Sequence, residues 1–172
     1  NDYLTQIISD SEVTTPGRAL TLLDAKISRN LNRELEGFKT KQEHDRINSN
    51  EGLSFEMNMK DGMDIALCAY YTKTGILQYA GAKRPLFLIR NGIIAEYKPT
   101  ILSVGGSEKV TKIFDDYEIQ LKKNDVLYLF SDGYTDQFGG EKGKKFKIKQ
   151  LKELLLKISD MPMAEQEQII KS

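Results

Sequence analysis

Hydrophobic positions change rhythm twice along this chain. From Thr15-Pro16 onward, Leu20, Leu23, Ile27, Leu31 and Leu35 recur every three or four residues, the period of a helix with one buried stripe. Thr15 supplies a capping side chain and Pro16 suits the first helical position, so a helix is expected to begin there and to end near Gly37. The preceding NDYLTQII reads as the tail of another helix. Residues 38–52 (FKTKQEHDRINSNEG) are polar and aperiodic, and read as an exposed loop.

The period then shortens. MDIALCAYY (63–71) is apolar at both alternating sets of positions, as in a strand covered on both faces. TKTG turns into ILQYA, a hairpin. PLFLIR and IIAEY flank Asn91-Gly92, the strongest short hairpin signal. Residues 101–116 read as a loop around Gly105-Gly106, and Tyr117, Ile119 and Leu121 alternate with polar residues as a half-exposed strand. Lys123-Asn124-Asp125 turns into VLYLF, expected to be a fully buried strand. The helical period returns at Ile148, Leu151, Leu154, Leu155 and Ile158, and a last helix is expected after Pro162. The order of helix, mostly antiparallel strands and helices gives an α+β class, with helices on one sheet or on two stacked sheets. No repeat or linker interrupts the pattern, so residues 1–172 read as a single domain.

Composition narrows the function. The 172 residues are 40% hydrophobic and carry 25 Lys+Arg against 25 Asp+Glu, without the basic excess of a nucleic-acid binder. No apolar run approaches the ~20 residues of a membrane span, and no signal-peptide pattern is present. Cys68 is the single cysteine, which excludes an internal disulfide and makes the cytoplasm the default setting. One Cys and one His do not build a Cys/His zinc site, so a metal here has to be held by oxygen. The chain opens on Asn and closes on EQEQIIKS, which still reads as helix. It is expected to be a piece of a longer protein.

Nucleophilic cysteine chemistry is set aside first. A cysteine phosphatase needs an arginine in the short loop after its thiol, whereas the first Arg after Cys68 is Arg84. Cys68 reads as a small buried hydrophobe within a strand. His44, in KQEHDR, reads as a solvated surface residue, and no P-loop pattern occurs. Ala80-Gly81-Ala82 reads as a place where another backbone packs closely against a strand.

Acids remain. In YLFSDGYTDQFGG an apolar run stops at Asp132, Asp136 follows four residues later, and Gly133, Gly139 and Gly140 punctuate the segment. Asp61-Gly62-Met63-Asp64 opens the first strand. Two carboxylates held together repel unless something positive lies between them, and the nearest basic neighbour in sequence is Lys60. Strand ends rich in carboxylate and glycine suit Mg²⁺ or Mn²⁺, which prefer oxygen ligands. Ordinary Asp-Gly turn chemistry is the alternative.

The segments DGMDIALCAYY, YAGAKRPLFLIRNG and DVLYLFSDGYTDQFGGEKGKKF, in this order, resemble the metal-dependent protein phosphatases of the type 2C class. The likeness is to their bacterial branch named for the stage II sporulation protein E, and it is strongest from Gly62 to Phe146. It implies an αββα sandwich of two antiparallel sheets flanked by helices, incomplete at both ends in this chain. It also implies hydrolysis of phosphoserine or phosphothreonine on a protein, with Mn²⁺ or Mg²⁺ cations that bind the phosphate and activate water. Asp132 matches a metal ligand, Gly133 lies in the same motif, and Asp136 matches a second acid that helps hold an extra cation. Asp61 and Asp64 match a further motif placed among the candidate ligands.

Two departures stand out. The family's Gly-Asp…Gly-His-Gly segment, whose aspartate bridges both metals, and its late Asp-Asp pair are missing from the sequence. An incomplete chain explains both, and so does a non-catalytic relative that keeps the fold as a binding module. The resemblance further implies a phosphorylated regulatory partner, such as an antagonist of an anti-sigma factor, and an upstream sensor or membrane region with the phosphatase part in the cytoplasm. The chain by itself is expected to bind metal poorly, to turn over little substrate, and to leave sheet edges that pair with a second copy.

Overall fold

Three apolar layers organise the structure, a computed structural model that describes residues 2–10, 13–48, 62–106, 110–139 and 144–171. Helices α1 (Asp2–Ile8) and α2 (Pro16–Asn48) precede strands β1 (Ile65–Tyr71), β2 (Ile76–Ala82), β3 (Leu86–Arg90), β4 (Ile93–Tyr97), β5 (Tyr117–Gln120) and β6 (Val126–Leu129). A one-turn helix α3 (Asp132–Thr135), a small ribbon of β7 (Phe138–Gly139) and β8 (Lys144–Lys145), and helices α4 (Lys147–Ile158) and α5 (Met163–Lys171) follow. The strands form two three-stranded antiparallel sheets, ordered β1-β2-β5 and β4-β3-β6.

The period-two pattern assigns each strand face to a layer. Leu77 and Tyr79 of β2 meet Leu86 and Leu88 of β3, with Ile119, between the sheets. On the other face of β2, Ala80 and Ala82 pack under Leu20 and Leu23 of α2 and Ile7 of α1. On the other face of β3, Phe87 and Ile89 receive Leu151, Leu155 and Ile158 of α4. Small residues toward α2 and large ones toward α4 suit each helix approach, as close packing requires. The result is the αββα sandwich. Asn91 and Gly92, at φ 51° and 70°, take the paired left-handed conformation of a tight hairpin turn.

Three local expectations are corrected. Helix α2 does not end near Gly37; it runs to Asn48. Lys, Gln, Glu and Arg are good helix formers, and Gly37 stands in open space with nothing within 4 Å of an added Cβ. Residues 38–48 of the expected loop are therefore helical, and 49–52 lie outside the described residues. Strands β1 and β6 are not buried throughout. Both lie at sheet edges, and Tyr70, Tyr71 and Leu129 are exposed.

Polar contacts pin the loops to this frame. Thr15 accepts the Arg18 N–H at 3.2 Å and donates to Asp116 at 2.7 Å, and Asp116 also accepts the Gly17 N–H. This places an anion at the start of α2, where the helix dipole favours it. Asp24 of α2, almost fully buried, lies 3.3 Å from buried Lys112 and accepts the Gly105 N–H at 2.7 Å. Lys112 also donates to the carbonyls of Ser103 and Gly105. This buried ion pair holds Ser103, Gly105 and Lys112 against α2. At one end of the β3–β6 pair, Arg90 grips Asp125 with both arms of its fork, at 2.8 and 2.6 Å, and that guanidinium holds the Asp125 carboxyl below its usual range.

Two expectations follow. Lys112→Ala strands Asp24 as an unpaired buried carboxylate and should cost about 3–5 kcal/mol by denaturant unfolding, with much of the loss recovered in Asp24→Leu/Lys112→Met. The carboxyl of Asp125 is depressed in the folded state, so its stabilisation is present above the unfolded carboxyl range and lost as pH falls through the lower folded value. Melting temperature should therefore fall below about pH 4, and Asp125→Asn should be less stable at neutral pH with a shallower acid loss.

Candidate functional site

The two sheets end together at one side of the sandwich, and the connector between β2 and β3 (Lys83-Arg84-Pro85) passes from one to the other there. Gly81 makes the crossing possible. An added Cβ would lie 2.2 Å from the Tyr79 hydroxyl and 2.4 Å from the Arg84 carbonyl, so the close backbone approach expected at this glycine is met. The fully buried Tyr79 donates its O–H to that carbonyl, and burial pushes its phenol pKa upward. Lys83 takes φ 55°, a left-handed turn.

The Arg84 side chain is thereby aimed across the mouth of the sandwich. Its Nη2 lies 3.0 Å from Asp64 Oδ2, just before β1, and 2.9 Å from Asp132 Oδ2, just after β6. Ser103 donates to the other oxygen of Asp64 at 2.6 Å. Gly62 allows this approach, because a Cβ there would lie 2.6 Å from the Ser103 Cβ. The Asp132 side chain is 60% exposed, whereas that of Arg84 is only 17% exposed. The hydrogen bond from Arg84 holds the Asp132 carboxyl below its usual range.

The candidate residues therefore separate. Asp64 and Asp132, remote in sequence, are brought to one guanidinium. Asp136, although its N–H bonds the Asp132 carbonyl at 2.8 Å, turns its carboxylate to Lys145 of β8 at 2.8 Å. Gly133 is exposed at the start of α3, where an added Cβ would meet only Ser131 Oγ at 3.4 Å, so the described packing does not demand a glycine. Asp61 and Gly140 lie outside the described residues. The segment after Ser131, read as a turn, is a single helical turn closed by Thr135 Oγ1 on the Asp132 carbonyl at 3.0 Å. Arg84 and Ser103 were not among the sequence candidates. The available signal was the Lys83-Arg84 pair that follows the AGA strand end, but only the crossing between sheets sets Arg84 beside both acids.

The family model of stage II sporulation protein E (SpoIIE) matches residues 4–171. The chain belongs to the stage II sporulation protein E family. A comparison with curated protein sequences finds no match. Among solved structures, the SiaA-PP2C domain of Pseudomonas aeruginosa superposes with a TM-score of 0.70 at 20% identity, covering 98% of this chain and 56% of that one. That likeness carries the fold, a type 2C phosphatase sandwich, and this SpoIIE-family chain spans little more than half of the matched chain. The family belongs to the metal-dependent phosphatases.

The donor set here does not by itself fit a two-cation centre. Among the described residues no three Asp, Glu, His or Cys side chains are grouped to hold a metal ion. Both Asp64 oxygens are engaged by Ser103 and Arg84, and Asp136 is paired with Lys145. Among the described candidates Asp132 and Asp136 have exposed side chains, at 60% and 53%, the first held by Arg84 and the second by Lys145.

Gly81→Ala should lower stability by about 1–3 kcal/mol through overpacking. Adding Tyr79→Phe removes one of the two clashes but not that with the Arg84 carbonyl. A thermal melt of the double variant should therefore not return to the parental value.

Proposed function

We propose that this chain is part of a metal-dependent serine/threonine protein phosphatase domain of a bacterial signalling protein, acting on a phosphorylated regulatory protein in the cytoplasm. The observation that carries the reading is the placement of Asp132, a carboxylate at the open end of a type 2C sandwich, in a chain matched by the family from residue 4 to residue 171. Mn²⁺ or Mg²⁺ is the cofactor class in this reading. Asp132 is the ligand that these residues offer most freely, with Asp64 across Arg84 from it and Gly133 and Asp136 beside it in sequence; Asp61, a further candidate ligand in this reading, lies outside the described residues. The remaining ligands come from outside these 172 residues, in keeping with the 56% coverage of the matched chain. No helix among the described residues is long and apolar enough to cross a membrane, so a sensor or membrane region belongs to other parts of the protein in this reading.

One observation favours a second reading. Arg84 already pairs with both acids at the mouth, as it would in a module that keeps the fold and binds a partner without catalysis.

Phosphate release from a phosphoserine peptide separates the two. A version extended at both ends to the length of the matched domain should turn over with Mn²⁺ and lose at least about a hundredfold on Asp132→Asn, the scale of removing a group that stabilises the reacting phosphate. The 172-residue chain should show negligible turnover. Metal-independent hydrolysis, or full activity in Asp132→Asn, contradicts the phosphatase reading.

A further inference from the structure

Among the described residues one buried side-chain polar atom has no hydrogen-bond partner, the hydroxyl oxygen of Ser28. Within a helix a serine or threonine hydroxyl can satisfy itself on the carbonyl four residues back, and Thr21 of α2 does so on Gly17 at 2.9 Å. Ser28, on the same helix and only 9% exposed, makes no such bond. It lines an open groove of about 410 Å³, with Arg29, Asn32 and Arg33 of α2 on one side and Val110 and Thr111 on the other. We propose that this groove is a binding site for a phosphate group. The Ser28 hydroxyl, the Asn32 side-chain amide and the guanidinium groups of Arg29 and Arg33 are its donors.

The spacing supports that chemistry. Positions 28, 29, 32 and 33 share one face of a helix over two successive turns, and every one of these side chains carries a hydrogen-bond donor. Arg29 and Arg33 are exposed at the rim, whereas Ser28 is buried beneath them. Two like charges four residues apart on a helix repel each other, and an anion seated between them relieves that repulsion.

Two acids also line the groove, and neither cancels the two arginines. Asp24 is paired with buried Lys112 at 3.3 Å. Glu36 lies about 12 Å along the helix from Ser28, at roughly 1.5 Å of rise per residue. The patch around Ser28 therefore offers two positive charges. A phosphate monoester carries about −1.5 to −2 at neutral pH and matches them. It also presents oxygens in several directions, toward the donors of α2 and toward Thr111 opposite, where a carboxylate has only two oxygens in one plane. Guanidinium groups suit phosphate in particular, because their fork meets two of its oxygens at once. A phosphate group fills only part of the groove. Ala25 and exposed Val110 line the remainder, which leaves room for a small organic body esterified to it.

The groove stands apart from the mouth of the sandwich, since neither Asp64 nor Asp132 lines it. Nothing in this site depends on hydrolysis at the mouth.

Isothermal calorimetry on the 172-residue chain in EDTA, at constant ionic strength, tests the site with two probes, sodium phosphate and adenosine 5′-monophosphate. At least one should bind. Ser28→Ala should weaken that binding about tenfold, the scale of losing a hydrogen bond to a charged group. Arg29→Met and Arg33→Met, at exposed positions where folding is not at stake, should each weaken it by about tenfold or more. Tighter binding of the nucleotide assigns the phosphate to an ester with a body in the groove. Equal or tighter binding of inorganic phosphate assigns it to the free ion. Thermal melts separate a ligand-binding hydroxyl from a structural one. Without ligand, Ser28→Ala should melt at or above the parental temperature, because it removes an unsatisfied buried group, and phosphate should raise it less than it raises the parent. Any of three results overturns the proposal. They are no binding of either probe at millimolar concentration, undiminished binding in Ser28→Ala, and displacement by sodium acetate as effective as by phosphate.

Discussion

A single guanidinium joins the two halves of this sandwich at its open end. Arg84 lies on the connector that carries the chain from one sheet to the other, and its side chain meets one acid from the sheet of β1 and one from the sheet of β6. Without a positive group there, two carboxylates would face each other across the mouth and repel. Much of the surrounding structure serves to place that one side chain. Gly81 leaves room for the crossing, the Tyr79 hydroxyl fixes the Arg84 carbonyl, and Gly62 lets Ser103 reach Asp64.

The same strand pair is clamped at its far end. Arg90 at the end of β3 grips Asp125 at the start of β6, while Arg84 before β3 meets Asp132 after β6. The two clamps differ in what they face. The Asp125 side chain is buried and the contact is bidentate, the geometry of a structural ion pair. Asp132 is open to solvent and shares one nitrogen with Asp64, and such exposed pairs contribute little to stability. Similar residue types thus make a buried bidentate fastening at one end and a shared, solvent-facing contact at the other. The Asp24–Lys112 pair extends the support, because the segment it pins to α2 contains Ser103, the hydrogen-bond partner of Asp64.

How far the fold was legible follows from what each signal measures. The stripe of Leu20 and Leu23, the alternation in β2 and β3, and Asn91-Gly92 all report burial or backbone geometry that adjacent residues settle among themselves, and each appears where expected. Residues 38–48 carry no apolar period in the sequence, so their helix is not legible from hydrophobic spacing. Strands β1 and β6 read as fully covered because apolar runs do not reveal whether a strand lies at an edge.

The candidate site divides along the same line. By itself the sequence determined an α+β order, an oxygen-only ligand repertoire, and acids at two strand ends, one of them in the SDGYTD motif. Adjacent residues carry those features, through period, composition and turn chemistry. Only the tertiary structure decided that Asp64 and Asp132 converge, that Asp136 turns to Lys145, and that the positive charge between the converging acids comes from Arg84. Such contacts depend on how two sheets stack and where the chain crosses between them. No local pattern encodes that geometry, because it is set by the packing of β2 against β3 through Tyr79, Leu86 and Leu88.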